Sequence, residues 1–115
     1  MRGMRLTGWV AFVLVASIPA ALADSAVTIT LKDHHFTPDS IAVPAGQRFR
    51  IELTNLDSTV SEFESYDMHF EKIVVGNGGK IHVFAGPLHP GQTYKFFDDY
   101  NPDSQGTITA TTKKD

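Results

Sequence analysis

The feature that most constrains this sequence is a two-residue period in its apolar side chains. Val27, Ile29 and Leu31 alternate with threonines, and the same period recurs over 49–53 and 81–83. Successive side chains of a strand point to opposite faces, so each run is typical of a strand with one buried face. No segment beyond the N-terminal apolar run has a long apolar stripe at helical spacing. The period therefore predicts an all-β protein.

Turn-forming residues separate these runs at intervals of roughly ten residues. They are Pro38-Asp39, Pro44-Ala45-Gly46, Asn55-Leu56-Asp57, Gly76-Asn77-Gly78-Gly79, Pro90-Gly91, Asn101-Pro102-Asp103 and Gly106. Short strands at this spacing predict an antiparallel sandwich or a small barrel. A chain of 115 residues is long enough for one such domain and too short for two.

The N-terminus differs in kind from the rest of the chain. Arg2 and Arg5 precede an apolar run that ends in Ala21-Leu22-Ala23, a small-residue cleavage pattern. We interpret residues 1–23 as a secretory signal peptide and residues 24–115 as the domain, which predicts a periplasmic protein. The alternative is an uncleaved transmembrane anchor, but polar residues and a proline interrupt the run, which is at the short limit for a span.

Charge and cysteine content exclude several classes of function. The formal net charge is −3, and it becomes more negative without Arg2 and Arg5. An acidic domain argues against nucleic-acid partners and against anionic membranes, and we expect no stable membrane insertion once the signal is removed. Exported proteins often use disulfides, yet this chain has no cysteine. Its stability must therefore come from a packed core.

An acidic segment, EFESYDMHFEK at 62–72, contains four carboxylates and a histidine in eleven positions. Glu62 and Glu64 lie two residues apart, so an extended backbone places both on one face. His69 and Glu71 have the same spacing, unless residues 66–70 form a helical turn. Two interpretations stay open here: a set of metal ligands, or a solvated strand edge with an isolated surface histidine.

Three longer stretches carry a family resemblance. HHFTPDSIAVPAGQRFRIELTNLD at 34–57 and GPLHPGQTYKFF at 86–97 resemble a cupredoxin. More narrowly, EFESYDMHFEK, GPLHPG and KFFDDYNPDSQG are similar to the cupredoxin-like domains of bacterial periplasmic iron-uptake systems, the EfeO and FtrB type. The resemblance implies a cupredoxin-like Greek-key β-sandwich. It also implies an iron permease, or another iron-uptake component, as the partner.

The resemblance departs from the family at the copper ligands. A blue-copper centre needs two histidines, a cysteine thiolate and usually a weak axial methionine. Where the family pattern runs Cys-x-x-His-Pro-x-Met-x-Gly, this chain has Asp98 for Cys, Asn101 for His and Ser104 for Met. Glu62 takes the place of the first histidine. Oxygen donors occupy every one of these positions, so the chain cannot form a type 1 copper site.

Oxygen donors indicate a different metal chemistry. Carboxylates suit hard ions such as ferric iron, manganese or calcium, and together with one imidazole they also accept divalent copper. We therefore expect copper and/or iron, and the candidate ligands are Glu62, Glu64, His69, Glu71, Asp98 and Asp99. For the two aspartates the alternative is an Asx-type turn before Asn101.

Together these features predict a periplasmic metal-binding protein of ferrous iron acquisition. One form of the hypothesis is copper-assisted oxidation of ferrous to ferric iron for a permease. Two alternatives stay open: a non-catalytic copper or iron carrier, and a metal-free structural cupredoxin that acts by protein contact.

Overall fold

The computed structural model describes residues 25–112, which form two β-sheets packed face to face. The strands are β1 (Ser25–Lys32), β2 (His35–Thr37), β3 (Ser40–Pro44), β4 (Phe49–Asn55), β5 (Ser61–Ser65), β6 (Phe70–Val74), β7 (Gly79–Ala85), β8 (Thr93–Asp98) and β9 (Asn101–Thr111). One sheet has the order β2-β1-β4-β7, and the other has the order β3-β9-β8-β5-β6. The all-β sandwich predicted from the alternation is confirmed.

The core lies between the two sheets, where the inward side chains of both meet. In the four-stranded sheet, Ile29 of β1 and Ile51 of β4 are fully buried. Phe63 of β5 and Phe96 of β8 meet Phe36 of β2 across the core, with ring centroids 5.9 Å and 5.1 Å from the Phe36 ring. The strand alternation places each of these side chains inward, and their burial supplies the apolar area that stabilises a chain without disulfides.

Two neighbouring strand pairs are parallel, which corrects the expectation of a purely antiparallel sandwich. Strand β1 runs parallel to β4, and β3 runs parallel to β9. After the β1–β2 hairpin the chain crosses to the second sheet for β3 and returns to the first sheet for β4. Local alternation determines which side chains face inward. It does not determine which strand becomes the neighbour, and so it missed the parallel pairs.

Two predicted turns are wrong, because Asn101-Pro102-Asp103 and Gly106 lie inside β9. The pairing of β8 with β9 shifts register between Phe97 and Asp98, which leaves the proline in an irregular part of the ladder. A proline is tolerated where the ladder is interrupted. Gly106 lies opposite Phe96, and a Cβ there would collide with the Phe96 ring. This glycine serves close packing and does not make a turn.

Other expectations from the sequence have clear outcomes. Met68 packs in the hydrophobic core, and His82 and His89 are exposed. Residues 66–69 form a turn between β5 and β6, so His69 and Glu71 do not share one strand. Between residues 25 and 112 no helix is long and apolar enough to cross a membrane. The predicted signal peptide lies outside the described residues.

Candidate metal centre

Four carboxylates meet on the outer face of the five-stranded sheet. Glu62 and Glu64 project from β5 on the side away from the core, and Glu71 of β6 lies directly opposite Glu64. Asp99 lies in the turn after β8, and its N–H donates to the carbonyl of Glu62 at 2.8 Å. One carboxylate oxygen from each of Glu62, Glu64 and Asp99 lies within 4.8 Å of the other two. The pairing of β5 with β8 thus brings Asp99 next to Glu62, which lies 37 positions earlier in the sequence.

The carboxylates of this outer cluster (Glu62, Glu64, Glu71 and Asp99) perturb one another. A hydrogen bond with the Glu71 carboxyl, partial burial, and the charges of Glu71, Asp99 and Glu64 raise the pKa of Glu62 to about 7. Partial burial and the charges of Glu71 and Asp99 also raise the pKa of Glu64. Like charges at short range disfavour full ionisation. The cluster is therefore suited to holding a proton or a cation near neutral pH.

A groove of about 290 Å³ adjoins the outer cluster. Two further side chains that line it, Tyr66 and His69, carry atoms that can bind a metal ion. His69 lines it from the turn before β6, where its φ is 63°, together with Glu64, Tyr66 and Glu71. The charge of Glu64, with partial burial and the other cluster carboxylates, raises the pKa of the Tyr66 phenol. Sequence reasoning missed Tyr66, although it continues the two-residue period of Glu62 and Glu64 and could have been found by it.

Asp98 points the other way from its neighbour Asp99. Its side chain is buried, and its Oδ1 accepts hydrogen bonds from the N–H of Glu62 and of Tyr100, both at 3.0 Å. The bond to Tyr100 is an Asx-type turn, the alternative that the sequence left open. Within residues 25–112 the structure brings Glu62, Glu64 and Asp99 together as one possible ligand group, and Asp98 lies outside it. A ligand role for Asp98 stays a prediction.

The residues at the family's copper positions do not fit a blue-copper centre. Asp98 offers a carboxylate whose Oδ1 is already engaged by two backbone N–H groups. The Asn101 side-chain amide donates to Ser104 Oγ at 2.9 Å, and Ser104 Oγ donates to the carbonyl of His34. These side chains bond to the protein and to one another, and the chain has no thiolate. A blue-copper centre requires a cysteine thiolate, and these three positions offer only carboxylate, amide and hydroxyl groups.

Comparison with known proteins identifies the family. A family described as a cupredoxin-like domain matches residues 5–110 of this chain. The chain belongs to this family. A protein of Rickettsia prowazekii (strain Madrid E), RP394, is 43% identical to this cupredoxin-like chain over 83 residues. That match covers 71% of the chain and 65% of RP394, so the chain spans less than two thirds of this relative.

Solved structures agree on the cupredoxin fold. Auracyanin from the photosynthetic bacterium Roseiflexus castenholzii matches with a TM-score of 0.61 at 15% identity, covering 80% of this chain and 99% of that one. Auracyanin B matches with a TM-score of 0.64 at 15% identity, over 84% of this chain and 93% of its own. A purple cupredoxin from Nitrosopumilus maritimus has a TM-score of 0.51 at 18% identity, over 76% and 100%. The cupredoxin-like sandwich implied by the resemblance is confirmed.

Proposed function

We propose that this cupredoxin-like protein binds a hard metal cation at the outer cluster. The observation that carries the proposal is the convergence of Glu62, Glu64 and Asp99, whose ligand oxygens lie within 4.8 Å of one another. Glu71 and the imidazole of His69 border the same place and supply the next donors. Membership of the cupredoxin-like family agrees with a metal-binding or electron-transfer role.

Ferric iron, and divalent copper when the imidazole of His69 joins the carboxylates, are the redox-active cations that we propose for this donor set. Three or four carboxylates provide hard, anionic oxygen ligands, and hard ligands favour the ferric over the ferrous state. A bound cation also offsets the repulsion between the carboxylates, which adds to the Glu71 hydrogen bond in raising the pKa of Glu62 and to partial burial in raising the pKa of Glu64. Metal binding therefore stabilises an arrangement that is electrostatically unfavourable without it.

The biological setting that we propose is ferrous iron acquisition in the periplasm. Cupredoxin relatives are often exported, and residues 1–23 have the pattern of a secretory signal ahead of the domain at 24–115. The similarity of EFESYDMHFEK and KFFDDYNPDSQG to iron-uptake domains of the EfeO and FtrB type supports an iron permease as the partner. In this setting the protein carries iron, or oxidises ferrous iron before passing it on.

Substitution of Glu62 by glutamine tests the binding site. Glu62→Gln keeps the size of the side chain and removes one anionic donor, so we expect affinity for divalent copper and for ferric iron to fall about ten-fold or more. Isothermal titration of the two proteins measures this change. Asp39→Asn, which removes an exposed acid outside the outer cluster, is the matched control and should leave affinity unchanged. Equal affinities for Glu62→Gln and the parent would make the cluster a solvated strand edge.

Oxidation and carriage are separated by following ferrous iron. Divalent copper held at the site would accept one electron from a ferrous ion and become cuprous, and oxygen would reoxidise it. Ferrous iron added without oxygen should therefore disappear up to one equivalent of copper and continue to disappear when oxygen is admitted. A ferrous-specific dye measures the loss against a buffer with the same free copper. Loss no faster than in that buffer would leave carriage as the function and remove the enzymatic one.

A further inference from the structure

Both backbone hydrogen-bonding groups of Glu62 are bonded to residues where β8 leads into the turn before β9. Asp98 Oδ1 accepts the N–H of Glu62, and the N–H of Asp99 donates to the carbonyl of the same residue. Two consecutive residues, Asp98 at the end of β8 and Asp99 in the turn, thus bond to both backbone hydrogen-bonding groups of one residue on β5. Only one of the two, Asp99, contributes its side chain to the outer cluster.

We propose that Asp98 is a positioning residue, which binds no metal itself and fixes Glu62 and Asp99 relative to each other. Asp98 is 1% exposed and lies opposite Phe63, on the core side of the sheet. From there its carboxylate reaches the backbone of β5, while the side chains of Glu62 and Asp99 project to the other face. The role in metal affinity rests on the proposed function, whereas the role in holding the turn does not.

The strand pairing beside Asp98 is irregular, so the hydrogen bond between the Glu62 N–H and Asp98 is needed to hold the turn against β5. The β8–β9 register shifts between Phe97 and Asp98, so the regular ladder ends where the turn begins. From that point side-chain hydrogen bonds hold the turn. Asp98 on β8 accepts from the backbone, and the Ser104 hydroxyl on β9 accepts from the Asn101 amide and donates to the carbonyl of His34. Both N–H groups are partly buried, where the loss of an acceptor is costly, so we expect Glu62 and Tyr100 to retain their bonds to Asp98 as long as the carboxylate is present.

Asp98 has a structural role at the position that the family resemblance gives to the copper thiolate. There the chain places a carboxylate whose bonds go to its own backbone. The side chains of Asp98, Asn101 and Ser104 form hydrogen bonds within the protein. The carboxylates available for a cation lie on the outer face of the five-stranded sheet. A ligand role and a positioning role for Asp98 make different demands: a ligand needs its charge, and a positioning acceptor needs only an oxygen at Oδ1.

Two substitutions at Asp98 separate these roles. Asp98→Asn keeps an oxygen acceptor without the charge, and Asp98→Ala removes both. Amide hydrogen exchange should show the N–H groups of Glu62 and Tyr100 protected in the parent and in Asp98→Asn, and exchanging about ten-fold faster or more in Asp98→Ala. Affinity for divalent copper should stay within about three-fold of the parent in Asp98→Asn and fall about ten-fold or more in Asp98→Ala.

The opposite results would overturn the inference. Loss of affinity in Asp98→Asn as large as in Glu62→Gln would make Asp98 a ligand, and unchanged amide protection in Asp98→Ala would remove the positioning role. If Asp98→Ala does not fold, Asp98→Asn still decides between the two roles. If the parent binds no copper or iron, the proposed function fails, while amide exchange still tests whether Asp98 holds Glu62. Asp39→Asn controls for the loss of one acidic charge.

Discussion

Two groups of carboxylates in this protein have opposite surroundings. Asp57 and Asp98 each accept hydrogen bonds from two backbone N–H groups. Glu62, Glu64 and Asp99 face mainly one another on the outer side of the five-stranded sheet. The fold stabilises the negative charge of the first group through its own N–H donors, whereas the carboxylates of the second group repel one another, and this repulsion favours a bound proton or cation. The same chemical group is therefore structural in one place and available for binding in the other.

The backbone-bonded group holds loops in place. Asp57 accepts the N–H groups of Asp33 and His34, which have φ values of 52° and 62° in the turn between β1 and β2. The left-handed region is unfavourable for residues other than glycine, so the two bonds offset part of that cost. Burial raises the pKa of Asp57, but the bonds from His34 and Asp33 and the charges of His34 and Lys32 outweigh it and lower the pKa below its usual value.

Asn55 continues this hydrogen-bonded region into the core, and its removal should have the largest effect on stability. Its side chain is fully buried; it donates to the carbonyl of Thr59 at 2.8 Å and accepts the N–H of Asp57 at 3.0 Å. Asn55→Ala empties a fully buried position and leaves the partly buried N–H of Asp57 and carbonyl of Thr59 without these bonds, so we expect a loss of about 3 kcal/mol in urea unfolding. The exposed Gln105→Ala is the control, with an expected change below about 0.5 kcal/mol. Similar losses in both variants would contradict this account of the loops.

Asp57 should have the next largest effect, and the effect should depend on pH. Asp57→Ala removes two bonds to a charged acceptor, for an expected loss of about 2 kcal/mol at neutral pH. A lowered pKa in the folded state means that this contribution is present above the unfolded pKa and lost as the pH falls through the folded value. Urea titrations of both proteins should therefore converge below about pH 4. A difference that stays constant down to about pH 2 would show that the carboxylate charge is not involved.

The outer cluster should show the reverse pH dependence, with a smaller effect. The pKa of Glu62 in the folded protein is raised to about 7. Glu62 therefore favours folding of the metal-free protein at low pH, and this contribution to stability is lost as the pH rises from the ordinary pKa of a glutamate toward 7. Glu71→Gln removes the neighbouring charge and should flatten this decline. Melting temperatures in chelator at about pH 5 and about pH 8 measure the change, with Asp39→Asn as control. A decline that is as steep in Glu71→Gln as in the parent would show that the two glutamates do not interact.

The alternation in the sequence was sufficient for the parts of the site that lie on one strand. It placed Glu62 and Glu64 on a common face, because a strand repeats every two residues whatever lies beside it. It could not predict that Asp99 would join them, since the approach of the β8–β9 turn to β5 depends on pairing between distant segments. The list of candidate ligands also contained both Asp98 and Asp99, although their side chains point to opposite sides of the sheet.

The sequence by itself determined the all-β class, the inward faces of β1, β4 and β7, and the absence of a thiolate ligand, because these follow from local period and residue type. Only the tertiary structure decided the parallel pairs, the placement of Pro102 and Gly106 inside β9, and the division of the carboxylates into backbone-bonded and mutually opposed groups. Each of these depends on which strands become neighbours. Long-range pairing decides whether a carboxylate lies beside backbone N–H groups, which stabilise its charge, or beside other carboxylates, which repel it.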